Sequence, residues 1–133
     1  MSFLIDTSVW IDLLAARETP QTPRRRALIA AHHELLIGNL VLTEILQGTR
    51  RYRDHDRKLT LLDSFSYLTI VDRRVGIKAA RNYRALHQLG VTIRKTVDML
   101  IAVRPILDGI ALLCSDRDFD PFVRHLGLRS AMH

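Results

Sequence analysis

Short apolar runs recur at 3–5, 34–38, 67–71 and 109–114, and at least one helix-length segment separates each from the next. No two of them are close enough to be joined by a hairpin turn, so the strands must be linked by crossovers, which are right-handed where strands run parallel. This pattern describes an α/β layer fold with a central, mostly parallel sheet covered on both faces. In such sheets ligands gather beyond the carboxyl ends of the strands.

The helices between the runs are marked by their own signals. Thr22-Pro23 predicts a helix start and a helix over 23–33, since proline's fixed φ suits the first helical position. Asn39 opens a helix over 40–47 that Gly48 stops, 54–66 reads as amphipathic, and a basic helix over 73–89 ends at Gly90. Thr96 is the expected cap of a helix over 97–104, which Pro105 must kink or end. A short helix near 119–126 and a terminal strand around 128–131 complete the reading. With 133 residues and 47% hydrophobic content, residues 1–133 make a single domain with one sizeable core.

No apolar run approaches the roughly 20 residues of a membrane span, and no basic-then-apolar leader is present, so the expected setting is cytoplasmic. The lone Cys114 closes an apolar strand and reads as a core residue. The six histidines lack paired ligand spacing, which argues against a zinc site. The net charge of +6 is concentrated in three clusters, 24–26, 50–58 and 73–84, and favours a polyanionic partner such as nucleic acid.

Against this basic background the acids are oddly placed. Asp6 and Asp116 each follow a strand core, so both fall on one edge of the sheet. Glu44 lies inside the apolar arc formed by Leu40, Val41, Leu42, Ile45 and Leu46. Asp98 stands in "VDMLIAV", a helix with no wet face to offer it. Each acid has an ordinary structural role available: Asp6 as a helix cap, Glu44 as a rim residue, Asp98 in a first helical turn, Asp116 and Asp118 at the start of the last helix. Converging carboxylates nevertheless demand neutralisation, by Arg94, Lys95 and Arg117 nearby or by a hard divalent cation with oxygen ligands.

"LIDTSVWID", "LTEILQG", "VTIRKTVDMLIA" and "LLCSDRDFDPF", in this order and spacing, resemble the PIN-domain ribonucleases, and specifically the VapC toxins of bacterial type II toxin–antitoxin modules. The resemblance implies a PIN-like three-layer α/β/α fold and a toxic endoribonuclease dependent on Mg²⁺ or Mn²⁺, leaving 5′-phosphate and 3′-hydroxyl ends on a target such as tRNA or rRNA. It assigns Asp6, Glu44, Asp98 and Asp116 to the catalytic, metal-holding quartet, with Asp118 a fifth acid in direct or water-mediated contact. Thr7, Ser8 and Ser115 match supporting hydroxyl positions. A VapB-type antitoxin, a homodimer and a toxin–antitoxin hetero-oligomer are the implied partners besides RNA. The sequence departs from the family at Arg104-Pro105, where related chains run an uninterrupted, Ala-rich helix.

Two rival readings are distinguishable. An aspartate-dependent phosphatase of the haloacid-dehalogenase type places a second Asp two residues after the first, where this chain has Ser8. A catalytically inactive PIN-like RNA-binding or adaptor domain has no need of its acids, whereas all four are present here.

Overall fold

The computed structural model describes residues 2–31, 34–114 and 117–131. Four strands, β1 (Ser2–Ile5), β2 (Glu34–Gly38), β3 (Ser66–Leu68) and β4 (Ala111–Leu113), form one sheet in the order β3-β2-β1-β4. Every pairing is parallel, with Leu4 opposite Leu36 on one side and Leu112 on the other. Consecutive residues Leu35–Gly38 and Ala111–Leu113 are all buried, which requires cover on both faces of the sheet and gives the three layers. The chain steps outward from β1 through β2 to β3, then returns to β1's other side as β4. The switch point of the topology is therefore the crevice between the carboxyl ends of β1 and β4.

Among the described residues seven helices connect and cover the strands: α1 (Thr7–Leu14), α2 (Thr22–Ala30), α3 (Asn39–Gln47), α4 (Tyr52–Leu62), α5 (Arg73–Gln88), α6 (Thr96–Asp108) and α7 (Asp120–Leu126). A 3₁₀ turn at Arg117–Phe119 leads into α7. No helix among the described residues is long and apolar enough to cross a membrane.

Several boundaries differ from the sequence expectation for physical reasons. The strand expected over 67–71 is shorter, because the Ile70 N–H donates to Asn39 Oδ1 at 3.0 Å instead of joining the ladder. Ile70 itself is fully buried against Gly38. The terminal strand over 128–131 is reduced to one parallel bridge between Leu112 and Ser130. Lys95, not Thr96, is the cap residue of α6, and no side chain bonds the exposed amides there.

Pro105 neither ends nor breaks α6, which continues to Asp108. Arg104 spans the interruption with Nε 2.8 Å from Asp108 Oδ2, one turn on, and donates from Nη1 to Asp72 at 2.9 Å. The helix stops at Gly109, whose φ of +67° is open to glycine, and the Ile110 N–H closes onto the Pro105 carbonyl at 2.9 Å. Arg104-Pro105 is thus a pinned helix end well removed from Asp98.

The basic cluster at 24–26 is also not the surface its sequence suggests. Arg25 is 1% exposed and lies 3.4 Å from Asp12, joining α2 to α1, while Arg26 pairs with Glu18. A cluster that is largely paired or buried offers little field to a distant polyanion.

Gly38 supplies a direct test of the packing beneath the site. A Cβ at this position would stand 2.7 Å from Cδ1 and 2.8 Å from Cγ1 of Ile70, which has no room to yield. Gly38→Ala is expected to destabilise the fold by about 1–3 kcal/mol. Thermal denaturation checks this, and an unchanged melting temperature would contradict the packing described.

Candidate active site

The last residue of β1 hands the chain to α1 through Asp6, and this residue serves both elements. Its backbone N–H continues the sheet by donating to the Leu113 carbonyl at 2.9 Å. Its side chain caps α1: Oδ2 accepts from the Ser8 N–H at 3.3 Å and from the Ser8 hydroxyl at 2.7 Å. Asp6 is only 4% exposed. Asp6 therefore caps α1 itself, and Ser8 anchors the carboxylate.

Thr7 does something different. Its hydroxyl donates to Glu44 Oε1 at 2.8 Å, fixing a side chain presented by α3 toward the start of α1. The two hydroxyl positions thus divide: Ser8 holds Asp6 and Thr7 holds Glu44. Nothing in the order of the two hydroxyl residues tells which acid each one meets.

Asp98 enters from the first turn of α6 and is partly buried. Burial raises its carboxyl to about 6, with further upward pressure from Asp6, Asp118 and Glu44 and an opposing pull from Lys95. Asp6 is raised as well, chiefly by burial and in part by Glu44, against the lowering effect of the Ser8 hydroxyl and the amides of Thr7 and Ser8. Four acids from β1's end, α3, α6 and the 3₁₀ turn therefore share one electrostatic environment. Their mutual repulsion adds to burial in raising the Asp98 carboxyl.

Asp116 and Ser115 lie outside the described residues. Among those described, no three acids, histidines or cysteines close tightly enough to hold one ion. The chemistry of the set is nevertheless consistent. Every donor from Asp6, Glu44, Asp98 and Asp118 is a carboxylate oxygen, the ligand type that hard Mg²⁺ or Mn²⁺ prefers.

On the outer side Asp98 and Asp118 line a pocket of about 360 Å³ together with Arg94, Lys95 and Arg117. Thr92 and Ile93 complete its wall from the segment between α5 and α6. The pocket thus sets three exposed cations beside the half-buried Asp98 and the exposed Asp118.

Comparison with known proteins identifies the family and the fold. The family model of the PIN domain matches residues 3–123. The fold is similar to a chain of VapBC2 from Rickettsia felis, in a complex bound to a DNA fragment from its promoter, with TM-score 0.77, 19% identity and coverage of 98% of this chain and 97% of that one. It is similar to a chain of VapBC-1 from nontypeable Haemophilus influenzae, with TM-score 0.77, 15% identity and full coverage, 100%, of both chains. A toxin–antitoxin complex from Klebsiella pneumoniae gives TM-score 0.68 at 19% identity over 96% of each chain.

The raised Asp98 carboxyl carries a stability consequence. Its folded pKa of about 6 exceeds the ordinary aspartate value of 3.8, so the folded state binds the extra proton between those values and loses that stabilisation as pH rises through about 6. In metal-free buffer Asp98→Asn is expected to be more stable than the parent at pH 7.5, by about 1 kcal/mol after allowance for solvent screening. The gain should vanish below about pH 4, where both carboxyl states are protonated. Melting curves across this range in chelator check it, and a variant less stable at pH 7.5 would contradict the repulsion.

Proposed function

Because the chain belongs to the PIN domain family, we propose that it is the toxin of a VapBC-type toxin–antitoxin module, acting as a metal-dependent endoribonuclease. The observation that carries this reading is the coupling of Asp6, Glu44, Asp98 and Asp118 at the carboxyl end of β1, beside a cationic pocket. A dead adaptor site has no reason to hold mutually repelling acids at a cost in stability. The resemblance of the fold to chains from toxin–antitoxin complexes supports the biological setting.

Asp6, Glu44, Asp98 and Asp116 would hold Mg²⁺ or Mn²⁺, with Asp118 beside them. When bound, the ion supplies Lewis acidity toward a phosphoryl oxygen and a nucleophilic water at neutral pH. The protein's own groups prepare the place. Ser8 and the first amides of α1 keep Asp6 aimed and oppose the upward push of burial on its carboxyl, and the Thr7 hydroxyl holds Glu44 in register with it. Arg94, Lys95 and Arg117 bind the phosphodiester and set the RNA backbone across the acids. Hydrolysis then leaves a 5′-phosphate and a 3′-hydroxyl, with the RNA 2′-hydroxyl taking no part as nucleophile.

The acids also suit a protein inhibitor. A VapB-type antitoxin arm that brings a cationic side chain to the pocket would relieve the same repulsion that metal relieves, and would exclude RNA in doing so.

Expression of the chain alone in a bacterial host is expected to arrest growth, and Asp6→Asn or Asp98→Asn to restore it while the protein stays folded and soluble. Normal growth with abundant soluble wild-type protein would favour the adaptor reading. Independently of activity, Mg²⁺ or Mn²⁺ should raise the melting temperature of the wild-type chain by mass action, by an amount equivalent to about 2.7 kcal/mol at a hundred times the dissociation constant. Asp98→Asn should lose most of that rise. A wild-type melting curve indifferent to millimolar metal would contradict the proposed site.

A further inference from the structure

A second cationic feature stands at the other end of the α5–α6 pair. The two helices run antiparallel: Asp72 at the start of α5 receives Arg104, and Arg74 donates to Asp108 at the end of α6 at 3.0 Å. Between them lies a groove of about 450 Å³ lined by Arg73, Arg74, Lys78 and Arg81, with Ile77 and Leu107 as apolar walls. Leu107 is nine residues beyond Asp98 on α6, about 14 Å along the helix axis, so this groove is separate from the acid pocket.

The charge in the groove is not balanced by its neighbours. Asp72 is committed to Arg104, and Asp108 to Arg104 and Arg74. Arg73, Lys78 and Arg81 have no ion pair or hydrogen bond to any described side chain. Val75, Ala79 and Leu86 fix the rotation of α5 by burial, and this sets Arg74, Lys78 and Arg81 within about 60° of one another on one flank. Arg74 is committed to Asp108, so the open cations are Lys78 and Arg81, about 5 Å apart along this flank, and Arg73, about 12 Å from Arg81 along the axis and roughly 80° around the helix from it; beside the apolar walls they match two or three phosphates of one nucleic-acid strand.

We infer that the α5 groove is a remote RNA-binding site, which engages the backbone of the substrate away from the bond that is cut. This rests on the ribonuclease reading above. Successive phosphates pair with Lys78 and Arg81 along the flank, Arg73 meets the strand where it enters the groove, and sugar or base edges pack on Ile77 and Leu107. RNA fits better than an acidic protein segment because α5 leads through the 89–95 segment into the wall of the acid pocket, so one polyanion reaches both places. The consequence is selectivity for RNA long or structured enough to span them.

The test compares Arg73→Ala/Lys78→Ala/Arg81→Ala with its parent, both carrying Asp98→Asn to keep the RNA intact. The probes are bulk bacterial transfer RNA and a four-nucleotide oligouridylate, read by fluorescence anisotropy over a salt series, with melting curves to confirm folding. The single variant Arg81→Glu serves if the triple variant fails to fold. Transfer RNA affinity is expected to fall on the order of tenfold to a hundredfold, and the salt slope by about two to three, while oligouridylate binding is unchanged. A folded triple variant with unchanged transfer RNA affinity and slope overturns the inference alone, and so does an equal loss for both probes. Unchanged RNA binding with loss of binding to a polyglutamate peptide assigns the groove to a protein partner and also overturns it. A parent that binds neither RNA probe overturns the RNA reading on which the inference rests.

Discussion

A carboxylate that must remain buried beside other carboxylates is the constraint around which this fold is arranged. Asp6 is tied at three levels: its amide belongs to the sheet, its side chain caps α1, and its charge faces Glu44 and Asp98. A surface cap would have met only the second of these demands at no electrostatic cost. The sheet order places β1 between β2 and β4, so the residue that leaves β1 emerges at the switch point, where α3 and α6 also begin or pass. Topology brings the acids together, and local hydrogen bonds keep them there.

The same division of charge runs through the molecule. Cations near the acids, Arg94, Lys95 and Arg117, are exposed on the pocket rim and leave the interior acids only partly compensated. Lys95 lowers the Asp98 carboxyl but does not cancel burial and the neighbouring acids. Elsewhere the basic residues have distinct uses: Arg25 is an interior pair for Asp12, Arg104 clamps the end of α6, and the α5 row stays open to solvent. Net charge alone treats these alike, although only the exposed and unpaired ones attract a polyanion at distance.

How much of this is readable in the sequence depends on the range of the interactions concerned. "ELLIG" is a strand over Glu34–Gly38 as its composition says, and the basic periodicity of α5 places that helix to within a residue. Asp6 at a strand end and Glu44 inside an apolar arc are local patterns, and the structure brings both, with Asp98 and Asp118, into one electrostatic site. What escapes is set by contacts distant in sequence. The Thr7 to Glu44 bond spans 37 positions, and the Asn39 side chain that shortens β3 acts across 31. The end of α6 around Pro105 carries the contact of Arg104 with Asp72, 32 positions away, which helix propensity cannot anticipate. The burial of Arg25 likewise requires knowing that α1 and α2 meet.

Asp98 shares its electrostatic environment with Asp6, Glu44 and Asp118, and the proposed function requires a cation to offset their charge. The most direct measurement is an NMR titration of the Asp98 side-chain carboxyl carbon in metal-free protein. A midpoint near 6 is predicted, moving down in Asp6→Asn as one neighbouring charge is removed, and moving down again in the wild-type chain when Mg²⁺ is added. A midpoint near 4 that neither Asp6→Asn nor Mg²⁺ displaces would contradict the account.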